Sequence, residues 1–129
     1  MAQHLTLVAL VVPDYEAALA FYVDTLGFEL VEDTAQSATK RWIVVRPPGA
    51  RETGVLLARA EGAAQHDAIG CQTGGRVGFF LQTDDFERDY AAMRAKGILF
   101  EEAPRDEVYG RVVVWKDPFG NRWDLLERC

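Results

Sequence analysis

One order of stops and turns occurs twice in this chain of 129 residues, and that repetition restricts the fold more than any single residue does. Leu5–Val12 (LTLVALVV) is β-rich and apolar on both faces, which predicts a buried strand. Pro13-Asp14 stops it, and the Asp14 carboxylate is placed to cap a helix running through EAALAFYVDTL, with Ala18, Phe21, Tyr22 and Leu26 on one stripe. Gly27 ends that helix. Strands are expected at Phe28–Asp33, Lys40–Arg46 and Thr53–Arg59, with Pro47-Pro48-Gly49 as a turn. From Arg76 the series restarts: RVGFFLQT as a strand, Asp84-Asp85 as a helix start, FERDYAAMRAK as an amphipathic helix and Gly97 as its end. Strands Ile98–Glu102, Tyr109–Lys116 and Asn121–Arg128 follow, with Asp117-Pro118-Phe119-Gly120 as the turn. Gly27 and Gly97 stand 70 positions apart, Gly49 and Gly120 71.

The fold class implied is α+β: two βαβββ repeats, residues 5–59 and 76–128, within one domain, joined by a Gly- and Ala-rich linker at 60–75. Each repeat offers one helix and four short strands with an open edge, so neither closes by itself. Together they can form a curved eight-stranded mixed sheet with both helices on the convex side and a concave pocket opposite, the usual setting for a small ligand.

Composition removes several function classes. The 14 Lys and Arg are outnumbered by 20 Asp and Glu, a formal charge of −6, and no basic run exists to displace counterions from a nucleic acid. The longest apolar run, eight residues, is far short of the ~20 that span a bilayer, and the first residues lack the basic and apolar regions of a secretory signal. Cys71 and Cys129 form no Cys-x-x-Cys pair, and Cys129 is the last residue. A reduced, cytoplasmic protein is expected, without nucleic-acid or membrane partners. No Gly-x-Ser-x-Gly elbow is present, and GCQTGGRVG lacks the Lys-Ser/Thr ending of a phosphate loop.

VPDYEAALAFYVDTLGFELVED, together with KDPFGNRWDLLE, resembles the vicinal oxygen chelate superfamily, which holds glyoxalase I, extradiol dioxygenases, fosfomycin-resistance enzymes and metal-free bleomycin-resistance proteins. The likeness covers nearly the whole chain and is weakest over 60–75. It implies pairing of two chains as a homodimer, and it speaks to fold more than to activity. Metal-using members are similar in carrying a His on each unit's first strand and a Glu on each unit's last, a set suited to a divalent transition ion. The corresponding positions here are Leu7, Gly78, Val55 (or Leu56, one step on) and Asp124. Only Asp124 can ligate, so neither metal nor other cofactor is expected. His4, three positions before Leu7, falls on the opposite sheet face, and His66 lies in the linker.

If the last hairpin turns at Asp117–Gly120, Trp115 lies opposite Arg122 and Val113 opposite Asp124. Arg111, Val113, Trp115, Arg122 and Asp124 then share the concave face with Arg76, Phe80 and Gln82, while Trp123 and Leu125 point to the helices. Gly78 would add room there. The candidate ligand-binding residues are Phe80, Arg111, Trp115, Asp124, Trp42 and Tyr109, with no catalytic residue assigned. Phe80 and Trp115 equally suit a core, Arg111–Asp124 equally an ion pair, and Tyr109 equally a strand-edge aromatic; the face of Trp42 is open. The linker suits a lid or a plain surface connection. The function expected is metal-free binding of a small organic molecule. The alternatives are a glyoxalase- or dioxygenase-like lyase or oxidoreductase with an altered ligand set that includes Asp124, and an interaction module whose concavity is filled by its own side chains.

Overall fold

Two strand–helix–three-strand units form along the chain, because each apolar strand is stopped by an aspartate that caps the next helix. The computed structural model describes residues 1–129 and divides into compact units at Met1–Ile69 and Gly70–Cys129. The first unit contains β1 (Leu7–Val12), α1 (Tyr15–Leu19), β2 (Glu29–Ala35), β3 (Arg41–Arg46), β4 (Gly54–Arg59) and α2 (Gly62–Ala68). The second contains β5 (Phe79–Gln82), α3 (Phe86–Ala95), β6 (Leu99–Phe100), β7 (Arg105–Glu107), β8 (Gly110–Lys116) and β9 (Arg122–Arg128). The α+β class and the repeated unit therefore hold.

In the first sheet the strand order is β1-β4-β3-β2, with β1 parallel to β4 and the other pairs antiparallel. In the second it is β5-β9-β8-β6, again with the unit's first and last strands parallel. Here β7 also pairs with β8, because the strand after the helix is interrupted between Phe100 and Arg105. Across that gap the Glu102 carboxylate takes the place of a main-chain acceptor and receives the Val114 N–H at 3.1 Å.

Asp14 Oδ2 accepts from the Ala17 N–H at 2.9 Å and Asp85 Oδ1 from the Arg88 N–H at 3.1 Å, so both expected caps form. The first helix changes pitch after Leu19 and continues as a π-helical segment, Ala20–Thr25. Its stripe is buried at Tyr15, Ala18, Phe21 and Tyr22, while Leu26 stays half-exposed. Under it, Leu10, Val12, Ile43, Val45 and Leu57 are completely enclosed. β1 is not buried on both faces: it lies at the sheet's edge, and Val8 and Ala9 are exposed. The linker is not a loop throughout, since α2 occupies Gly62–Ala68, with no buried residue.

The second core is an aromatic ladder. Phe79 on β5 stacks on Trp123 of β9 (centroids 4.7 Å, 23° between planes), and Trp123 stacks on Trp115 of β8 (5.0 Å, 16°). Leu125, Val113, Phe86 and Met93 complete it, so this is the face covered by α3.

Candidate ligand site

Each sheet has one face away from its helix. On the first, Trp42, Val44 and Arg46 alternate along β3, and the pairings Thr34↔Trp42 and Glu32↔Val44 bring β2 residues to the same side. A register shift between Leu30 and Glu32 brings Glu32 and Thr34 to that side, while the β3–β4 pairing Val44↔Leu56 sets the face of Trp42. Trp42 thus becomes the wall of a cleft of about 160 Å³, lined also by Leu7, Glu32, Val44, Arg46 and Gly54. Gly54 is there because space is short: a Cβ would stand 2.8 Å from Val44 Cγ1. Arg46 reaches the Arg51 carbonyl with Nη1 at 2.9 Å, while its enclosed Nε has no hydrogen-bond partner.

On the second sheet, Phe80↔Asp124 and Val114↔Asp124 place Phe80, Gln82, Val112, Val114, Arg122, Asp124 and Leu126 on the face away from α3, where Phe80 is exposed and Val112, Val114 and Asp124 are buried. Lys116 opposes Arg122 and Trp115 opposes Trp123, one step from the expected register. The turn holds five residues rather than four, because Asp117 N–H donates to the Asn121 carbonyl at 3.0 Å. Asp117 Oδ1 also accepts from the Phe119 and Asn121 N–H groups, and Oδ2 from the Asn121 side-chain amide. One extra residue reverses the face of every β8 side chain. Trp115 and Val113 are therefore fully buried on the helix side, not on the open face. Arg111 is on the helix side too, with its guanidinium 5.3 Å from the Phe86 ring centroid and 3.0 Å from Glu87. It makes no ion pair with Asp124. Tyr109 is exposed in the β7–β8 turn.

The family resemblance marks four positions as those that would carry metal ligands: Leu7, Val55 or Leu56, Gly78 and Asp124. In the first unit Leu7 and Leu56 share the open face, since Leu7 pairs with Gly54 and Ala9 with Leu56, whereas Val55 points to the helix. In the second, a side chain at Gly78 would put its Cβ 2.5 Å from Thr73 Cγ2. The space expected beside Gly78 is thus filled by Thr73, whose hydroxyl donates to the Arg76 carbonyl at 2.7 Å. Asp124 alone carries a ligating group, and no three His, Cys, Asp or Glu side chains converge anywhere in the chain. This donor set does not fit a divalent transition ion. His66 lies on exposed α2 with Nδ1 3.0 Å from the Gly62 carbonyl.

Asp124 is 8% exposed, and its Oδ1 is enclosed without a hydrogen-bond partner. Burial pushes its carboxyl above the usual range, with Arg105 opposing, Glu102 adding to the rise and Arg122 opposing. Both arginines are engaged elsewhere: Arg105 with Glu102 at 3.1 Å and with Glu107, Arg122 with Glu101 at 2.7 Å and with the Gly75 carbonyl at 2.8 Å. Neither Thr73, Glu32 and Arg46, nor the Glu102–Arg105 pair, was a candidate from the sequence. They reach these faces through a bulge, a loop contact and a strand interruption that leave no periodic signal.

The fold is shared with known proteins. An uncharacterised protein of Shewanella frigidimarina is 52% identical over 128 residues, covering 98% of this chain and 95% of the relative. Among solved structures, UcmS2 superposes with a TM-score of 0.84 at 26% identity, covering 98% of each chain. TnmS3, an antibiotic binding protein from Streptomyces sp. CB03234, does so with a TM-score of 0.79 at 30% identity, over 99% of this chain and 98% of the other. The family profile described as Glyoxalase/Bleomycin resistance protein/Dioxygenase superfamily matches residues 3–125, and the chain belongs to that superfamily.

Proposed function

We propose that this protein binds a small organic molecule on its open sheet faces without a metal ion, and acts by binding rather than by turnover. The observation that carries this reading is the donor set: at the four family positions stand Leu7, Leu56, Gly78 (blocked by Thr73) and Asp124. A single carboxylate does not retain a divalent transition ion in competition with water. The likeness to an antibiotic binding protein supports the same reading. So does the cleft beside Trp42, which at about 160 Å³ is smaller than the ~300–1,000 Å³ of a complete ligand pocket and suits one ring or arm of a larger molecule. The working form in this proposal is a cytoplasmic homodimer, supported by the absence of a Cys-x-x-Cys pair and by Leu30, Val31 and Leu99 exposed on the outer strands. No helix is long and apolar enough to cross a membrane.

The test is elemental analysis of tag-free protein, followed by tryptophan fluorescence with a library of polycyclic aromatic and glycopeptide antibiotics. Expected are substoichiometric metal and a saturable fluorescence change that Trp42→Phe abolishes. Stoichiometric Zn, Ni, Mn or Fe that is lost in Asp124→Ala would instead establish the metal-dependent enzyme reading.

A further inference from the structure

Two neighbouring residues on the second sheet are unusual in opposite ways. Phe80, in the middle of the β5 pairing, is 65% exposed, although a phenylalanine in a strand ordinarily packs. Its register partner Asp124 is almost completely buried, yet one carboxylate oxygen has no donor. An enclosed acceptor of this kind is costly to keep, and its missing donor comes from outside the chain, as a water molecule or a ligand group.

The chemistry of that missing group follows from the surroundings. The nearest cations cannot serve, because Arg105 is held by Glu102 and Glu107, and Arg122 by Glu101 and the Gly75 carbonyl. Both guanidinium groups are neutralised by those partners, so the Asp124 carboxylate is the charge an incoming group meets. An incoming anion would be repelled, and a group with only acceptors would leave Asp124 unpaired. A flat ring can lie against the exposed face of Phe80.

We infer that the Phe80–Asp124 strand pair is a recognition subsite for an aromatic ring bearing a hydrogen-bond donor (a protonated amine, or more weakly a hydroxyl), with the donor directed at the Asp124 carboxylate and the ring against Phe80. This inference rests on the binding function proposed above and names the ligand class of its second sheet. It also makes Asp124 a residue retained for binding at a cost to stability.

The probes are three compounds with one skeleton: 2-naphthylmethylamine, 2-naphthalenemethanol and 2-naphthoate, titrated into the full chain by calorimetry and followed by backbone NMR. The amine should bind at least tenfold more tightly than the carboxylate, with the alcohol between them and shifts concentrated at Phe80 and Asp124. Asp124→Asn should erase most of the amine's advantage over the alcohol while its thermal midpoint equals or exceeds that of the parent. Phe80→Ala should weaken the amine and the alcohol alike. Equal affinity for amine and carboxylate, an unchanged preference in Asp124→Asn, or no binding of any probe would overturn the inference. So would a change of oligomeric mass in Phe80→Ala, since the ring's partner would then be a second copy of the chain. If antibiotics bind through Trp42 while these outcomes fail, only the subsite falls; if no compound in either series binds, both readings fall.

Discussion

Asp124 illustrates how one side chain can mark a site while weakening the fold. Its folded-state carboxyl binds a proton more tightly than the ordinary value of 3.8, chiefly because burial disfavours the charge. The native state therefore holds more protons than the unfolded chain between 3.8 and the raised value, and stability falls as pH rises through that window. At neutral pH the charged group, with an enclosed oxygen that has no donor, is a standing cost. Asp124→Asn should accordingly stabilise the protein by about 1 kcal/mol at pH 7, and calorimetry at pH 4 should show a smaller gain, because the parent is then partly protonated. Asp33 behaves in the opposite sense. The Arg41 guanidinium bonded to it lowers its carboxyl below the usual range, against some opposition from burial, so its contribution is present above 3.8 and is lost as pH falls through the lowered value. Arg41 also reaches Glu16 at 2.6 Å and lies over the Tyr15 ring. Arg41→Met should cost on the order of 1 kcal/mol, most of it from the lost clamp between β2, β3 and α1, as read in urea melts.

The β8–β9 hairpin shows how a turn decides which side chains meet a ligand. Its register follows from Asp117, a buried carboxylate that accepts three hydrogen bonds within the loop. Asp117→Ala would leave those donors unpaired and should cost about 2–4 kcal/mol, with broadened amide signals along both strands. The same register separates two aromatics that the sequence alone places together. Trp115→Ala removes a fully buried ring from the ladder and should cost about 3–5 kcal/mol, whereas Phe80→Ala on the exposed face should change stability by no more than ~0.5 kcal/mol. Paired denaturation and binding curves check this: the first variant loses stability, the second affinity. The reason for the one-step error is visible in KDPFGNRW. Asp-Pro-Phe-Gly marks a turn in sequence, but whether Asn121 belongs to the turn or to the strand depends on its bonds to Asp117. Caps at Asp14 and Asp85 were legible because they need only local groups. The face of Trp42 was not, because it depends on which residue of β3 is paired with which residue of β4.

For the whole molecule, the expected consequence of the donor set is indifference to chelators. Overnight exposure to EDTA should leave the melting temperature and ligand affinity unchanged, since no fold-stabilising ion is removed. A light-scattering mass of twice the chain mass would support the proposed homodimer, and a monomer would remove it. The amino-acid order by itself determined the duplicated strand–helix–three-strand plan, the helix caps and the covered faces of β5 and β9. These depend on periodicity and on groups a few residues apart, where local chemistry has few alternatives. Only the tertiary structure decided that Thr73 fills the space beside Gly78, that Trp115 and Arg111 face the helix, and that Trp42 walls a cleft. Thr73 arrives through a loop contact, and the faces of Trp115, Arg111 and Trp42 depend on which residue of one strand is bonded to which residue of another, where a shift of one position, which costs the sequence pattern nothing, exchanges core for surface.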